Sequence, residues 1–187
     1  MRVVPDVLCC VRERRRSYNN GWTFPKTVER HLRALTAGQS VLQLFGGLAQ
    51  WGMRLDIDPA TRPTVIGDAW LPPFRRDAFD VVILDPPYVN VNQQTKAALM
   101  RAATFIARRQ VIWFHTIWLP GDRHCRLARA WLVYVDDTAA IRCLQVFNTA
   151  DTKPEPRMYF TRGPAIRYNR WRNQGGLPLE HAEASHG

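Results

Sequence analysis

The sequence predicts an α/β protein: a mostly parallel sheet with helices on both faces and an antiparallel hairpin toward the carboxyl end. Three observations carry this reading. Short apolar runs such as VLQLF (41–45) and FDVVIL (79–84) have the length and continuity of strands covered on both faces. Stretches with helical spacing alternate with them, which favours parallel pairing. Four successive strands each end in Gly or Asp, so those ends would line up along one edge of the sheet.

Taken in order, residues 1–20 read as an irregular or weakly stranded leader with a basic cluster at Arg12, Arg14, Arg15 and Arg16. Tyr18–Trp22 is turn-like. A helix is expected over about 26–36, with Thr23 as cap and Pro25 in its first turn. Val28, Leu32 and Leu35 would share one face of it, and Gly38 would close it. Val41–Phe45 is the first strand of the alternating series and runs straight into Gly46-Gly47. Met53–Ile57 and Thr64–Gly67 follow as the second and third, ending in Asp56-Ile57-Asp58 and Asp68. Asp58 reads as a turn former before Pro59. Phe79–Leu84 is the fourth strand, ending in Asp85-Pro86-Pro87-Tyr88. A helix near 93–109 would finish in Arg108-Arg109, cations suited to a helix carboxyl end. Val111–Thr116 is the fifth strand, then a short helix is expected at about 122–130. Trp131–Val135 and Ile141–Asn148 have the alternation and turn chemistry of a hairpin. Arg157–Thr161 reads as one more strand. The domain reading is a basic leader at 1–21, one folded domain at 22–162, and a basic and polar tail at 163–187.

The corner at 85–88 is chemically distinctive. Two consecutive prolines end a strand, since each lacks a backbone donor and fixes its own φ. They also keep Asp85 out of the helical region. The result is a stiff turn displaying a carboxylate, a bare carbonyl and an aromatic ring at the end of a strand.

Length and composition narrow the function class. At 187 residues the chain suits one domain with a real core. It contains no apolar run of about eighteen residues, so no membrane span is expected. The apolar patch near the start does not match a secretory signal, and a cytoplasmic location follows as the default. Cys9, Cys10, Cys125 and Cys143 lack the spacing of a metal or disulfide framework, so reduced thiols and no metal are expected. The net charge is +10, carried by 23 Arg against 3 Lys. Clustered arginine favours a polyanionic partner, through bidentate phosphate contacts and stacking. Base-composition bias in the coding genome is the competing explanation.

Together, the ordered strand ends resemble the Rossmann-like S-adenosylmethionine-dependent methyltransferases, in particular the nucleic-acid amino-methyltransferases. The residues that carry the resemblance are Phe45-Gly46-Gly47, Asp56, Gly67-Asp68-Ala69 and Asp85-Pro86-Pro87-Tyr88, in that order, within about 22–148. The resemblance implies S-adenosyl-L-methionine as cofactor. Its expected contacts are Phe24 and Pro25 in the segment cupping the methionine end, then Phe45, Gly46 and Gly47, with Asp56 on the ribose hydroxyls. Asp68 would face the adenine amine, with Ile57, Ala69 and Trp70 walling the ring. At the catalytic corner, Asp85 and the Pro86 carbonyl would each accept a hydrogen of the target amine, with Pro87 stiffening the turn. Tyr88 would stack on a base swung out of any helix.

Three departures stand out. Gln43 occupies a position that is usually acidic in the family. Leu48-Ala49 replaces the last small residue of the glycine turn. Only eight residues separate Gly47 from Asp56, too few for the usual connecting helix. A compact form of the family shares this short connection, and Gly67–Phe74 is similar to its next segment.

The Asp-first corner leans toward adenine N6 in DNA. Guanine N2 or adenine N6 in RNA is the alternative, as is a non-catalytic nucleic-acid-binding module on the same fold. No separate target-recognition domain is visible in the sequence. Recognition would fall to Arg12–Arg16, the loop Val89–Gln94, and Arg162, Arg167, Arg170 and Arg172 with Tyr168 and Trp171 interleaved. A homodimer or a specificity subunit is the other source.

Overall fold

The computed structural model describes residues 6–10, 23–86, 93–116, 118–121, 123–135 and 141–151. Strands β1 (Asp6–Cys10), β2 (Val41–Leu44), β3 (Met53–Asp56), β4 (Val65–Ile66), β5 (Phe79–Leu84), β6 (Ala107–His115), β7 (Cys125–Val135) and β8 (Arg142–Thr149) form one sheet. Its spatial order is β1-β7-β8-β6-β5-β2-β3-β4. The pairs from β4 across to β6 are all parallel, and β8 runs antiparallel between β6 and β7. This is the mostly parallel sheet with an antiparallel carboxyl-terminal pair that the strand patterns predict. Part of the leader belongs to it, because β1 pairs parallel with β7 as the outermost strand.

Alternation along the strands splits the core into two layers. Val41, Val81, Ile83, Ile112, Phe114, Leu144 and Val146 face helix α1 (Lys26–Leu35), whose Val28 and Leu32 are fully buried among them. Leu42, Leu44, Val82, Leu84, Val111, Trp113 and Phe147 face helix α2 (Gln93–Ile106), which inserts Leu99, Ala103 and Ile106. Among the described residues, one α-helix therefore covers each face. The outer side of α1 is polar, with Arg33 paired to Glu29 one turn earlier at 2.7 Å.

Several boundaries differ from those expected. Pro25, extended at φ −52° and ψ 142°, is itself the α1 cap, and no side chain caps that end. Its carbonyl accepts from the Glu29 N–H at 2.8 Å. The helix ends at Leu35, and Gly38, at φ +73°, turns the chain toward β2. Helix α2 stops at Ile106, and Arg108-Arg109 lie in β6. There Arg108 pairs with Asp80 at 2.8 Å instead of meeting helix carbonyls. The Phe105 carbonyl at the helix end instead accepts the Asp77 N–H.

The short helix expected at 122–130 is strand for most of that span, as the start of β7. The cause is a bulge between Leu127 and Arg129, which adds one residue to the pleat. It lets Arg126 and Arg129, three positions apart, both stand exposed, a spacing that imitates a helix face. The expected strand at 157–161, the arginine clusters of the leader and tail, and Pro87 and Tyr88 lie outside the described residues.

Parallel neighbours usually need a crossover of about a dozen residues or more, most often a helix. Here β2 to β3 and β3 to β4 are each bridged by only eight residues. The second bridge holds a single 3-10 turn, Pro59–Thr61, whose cap is Asp58 accepting the Ala60 N–H at 2.9 Å. Asp58 is thus the turn former its position before Pro59 predicts.

Candidate active site at the carboxyl edge of the sheet

Strands β4, β3, β2 and β5 are adjacent and parallel, so their carboxyl ends fall side by side. Leu44 is level with Leu55 on one side and Leu84 on the other. The residues that follow each strand therefore meet along one edge: Phe45-Gly46-Gly47, Asp56-Ile57, Gly67-Asp68-Ala69 and Asp85-Pro86. Open α/β sheets bind ligands at such an edge.

The turn after β2 is the most constrained part. Phe45 adopts φ +63°, a left-handed conformation that a bulky side chain rarely takes. Such strain typically costs about 1–3 kcal/mol and collects at functional sites. The Phe45 ring meets Trp70 edge-on at 6.4 Å. Gly46 is needed for closeness: a Cβ there would stand 2.7 Å from Arg54 Cβ and 3.2 Å from Arg54 Cα. Gly47, at φ +47°, donates its N–H to Asp56 Oδ2 at 2.8 Å.

Asp56 uses both carboxylate oxygens within its own corner, Oδ1 accepting the Asp58 N–H at 3.0 Å. A carboxylate oxygen offers about two lone-pair sites. Each oxygen therefore keeps one acceptor position beyond the bonds it makes here.

Asp68 accepts the Trp70 N–H at 2.9 Å, forming the loop that follows β4. Ala69 is buried in the α2-side core, whereas Ile57 is 44% exposed at the rim. Asp85 and Pro86 are both buried at the end of β5. Phe24 packs edge-on against Phe114 of β6 at 5.6 Å, so it is anchored in the α1-side core, with Pro25 beside it opening the helix.

Gln43, in the usually acidic position, is 1% exposed and donates Nε2 to the Trp51 carbonyl at 2.6 Å. Its Oε1 is buried with no hydrogen-bond partner among the described residues. The short connection thus folds back along β2 and is pinned there by this side chain.

Two neighbouring groups carry no motif and are not legible in the sequence. His115 ends β6, two residues beyond the Trp113 that pairs with Leu84, as Pro86 stands two beyond Leu84. Its ring lies 5.3 Å from the Trp113 ring. Burial, with the Lys96 ammonium of α2 nearby, lowers its pKa to about 4, so it is neutral at physiological pH. Arg54, two residues before Asp56, is the other group. Its only sequence signal is a cation one pleat behind the strand-end carboxylate.

No family model matches this sequence, and no curated protein matches it. Solved structures match its fold. Magnesium protoporphyrin IX methyltransferase from Synechocystis PCC 6803, solved with bound SAM, is 14% identical, with a TM-score of 0.50 over 66% of this chain and 79% of that one. A candidate RNA methyltransferase, PH1948 from Pyrococcus horikoshii, is 14% identical, with a TM-score of 0.52 over 68% and 85%. A chain from the complex between the Haloferax volcanii Trm112 methyltransferase activator and a candidate methyltransferase is 11% identical, with a TM-score of 0.53 over 68% of this chain and 90% of that one. At these identities the likeness is one of fold: the sheet is that of the Rossmann-like methyltransferases.

Proposed function

We propose that this protein is an S-adenosylmethionine-dependent methyltransferase acting on an exocyclic amino group of a nucleic-acid base, with adenine N6 in DNA as the leading target. The observation that carries this is the meeting of the glycine turn, Asp56, Asp68 and Asp85-Pro86 on four adjacent strand ends. The net charge of +10 supports a polyanionic substrate.

The residues present fit the cofactor. Asp56 keeps an acceptor position on each oxygen, as a pair of vicinal hydroxyls requires. The buried Oε1 of Gln43, which has no hydrogen-bond partner among the described residues, is an acceptor of the kind an ammonium group would engage. Asp68 and Ala69 follow β4, where an adenine ring would be held, with Ile57 and Trp70 as its apolar neighbours. Phe24 and Pro25 would flank the methionine end.

When bound, the cofactor supplies an electrophilic methyl group on a sulfonium. The chain's own task is to make a poor nucleophile attack it. An amine on a base ring has its lone pair delocalised into the ring. If the Asp85 carboxylate and the Pro86 carbonyl each accept one of its hydrogens, the nitrogen is held toward tetrahedral geometry and its lone pair is released. Positioning and fixed electrostatics then supply most of the rate. As the S–CH3 bond gave way to N–CH3, leaving the cofactor as a neutral thioether, Asp85 or water would take the N–H proton that the nitrogen sheds. Pro87 and Tyr88 are assigned here from sequence, as the stiffener of the corner and the platform for the base.

Two observations favour particular alternatives. The likeness to PH1948 favours an RNA base as substrate. The engagement of Gln43 with the Trp51 carbonyl favours a module that binds nucleic acid without turnover.

Calorimetric titration with S-adenosylmethionine, followed by labelled-methyl transfer to duplex DNA, single-stranded DNA and total RNA, separates these readings. Binding with transfer to DNA, lost in Asp85→Ala, is the expected result. Transfer to RNA alone selects the RNA reading. No binding at millimolar cofactor overturns the enzyme.

A further inference from the structure

Arg54 lies on β3 one pleat before Asp56, so both side chains stand on the same face of the strand. Its guanidinium Nη1 donates to the Gly47 carbonyl at 2.8 Å and to the Thr61 carbonyl at 3.1 Å, and Nη2 donates to the Arg62 carbonyl. Gly47 belongs to the β2–β3 bridge, and Thr61 and Arg62 belong to the β3–β4 bridge. One side chain therefore ties together the two connections that lack helices. Arg62 caps its 3-10 turn in a left-handed conformation, φ +49°, so its carbonyl sits at a strained bend that Arg54 holds.

The same residue, Gly47, is held from both sides. Its N–H goes to Asp56 and its carbonyl to Arg54. Between these grips, the Arg54 stem fills the space under Gly46, where no Cβ would fit. A charged planar fork can serve three carbonyls at once; an ammonium on a flexible stem cannot hold the same plane.

We propose that Arg54 is the positioning residue of the cofactor site. It replaces the missing crossover helix by clamping the glycine turn and the 57–64 bridge on either side of Asp56, so that the carboxylate and the turn keep the geometry a ribose requires. The assignment rests on the cofactor reading given above.

The test uses the full chain with Arg54→Ala, Arg54→Lys and, as an exposed control on β7, Arg126→Ala. In the protein without cofactor, hydrogen exchange is followed over 45–52 and 57–64. Both segments are expected to lose protection together in Arg54→Ala while β5 and β6 keep theirs. Loss in only one segment, or in neither, overturns the clamp.

S-adenosylmethionine Kd is then measured by calorimetry. Charged hydrogen bonds of this kind contribute enough that Kd is expected to rise about tenfold or more in Arg54→Ala. A smaller rise is expected in Arg54→Lys, and no change in Arg126→Ala. Free guanidinium at millimolar concentration is expected to restore part of the affinity of Arg54→Ala and none of that of Arg54→Lys, whose ammonium occupies the site. An unchanged Kd in Arg54→Ala overturns the assignment alone. Absence of binding by the unsubstituted protein overturns the cofactor reading and the purpose given to Arg54 with it.

Discussion

Asp85 and His115 show how differently single residues announce themselves. Asp85 is legible because a carboxylate before two prolines at a strand end is a rare local arrangement with an evident geometric effect. Asp85→Ala removes one of the two acceptors proposed for the amine. Methyl transfer is expected to fall by about a hundredfold or more, with cofactor affinity near that of the unsubstituted protein. Isotope-transfer rates and calorimetry check the two quantities separately. His115 is not legible, since nothing in WFHT marks the histidine as buried near a lysine of the helix that precedes its strand.

The low pKa of His115 has a signed consequence. In the unfolded chain the ring takes up a proton near its ordinary pKa of 6.5, while in the fold it resists until about 4. The unfolded state therefore binds more protons in that interval. Stability is unaffected above about pH 6.5 and falls as pH drops toward 4, by roughly 3 kcal/mol in total. His115→Gln should flatten this part of the acid limb. Urea unfolding at pH 7.5, 5.5 and 4.2 measures the slope, which is the informative quantity even if the variant is less stable throughout. An unchanged slope would show that another group governs the acid limb.

Elements were readable where their hydrophobic period was regular. Strands β2 and β5, helix α1 and the turn at Asp58 follow the sequence closely. What failed to show were irregularities of pairing: the β7 bulge imitates a helix, and the direct passage from α2 into β6 hides a boundary between two apolar runs. The eight-residue bridges were visible as a shortage of residues, but what replaces their helices was not. Gly46 tests that replacement at the scale of the turn. Gly46→Ala forces a methyl against the Arg54 stem and backbone, not against the end of a flexible chain. The expected cost is about 1–3 kcal/mol, the range for overpacking a tight site. Chemical denaturation should show it as a lower midpoint with the same denaturant slope.

For the molecule as a whole, the parallel order of four strands was inferable from alternation and from the chemistry of their ends. The membership of β1 was not, because DVLCC is short and its partner lies far along the chain. Its pairing has a kinetic meaning. Strands β2, β3 and β4 meet within 41–66 through short bridges, so their closure costs little chain entropy. Asp6 meets Trp131, a separation of 131 − 6 = 125 residues, and among the described residues β1 has a neighbour on one side only. Contacts of such long range form late and at the outermost strand are the first to open. In refolding followed by pulsed amide labelling, β2–β4 should acquire protection before β1. At equilibrium, β1 should exchange by local opening, well below the free energy of global unfolding. Equal protection of β1 and β5 would mean that the edge strand docks as part of the central folding unit.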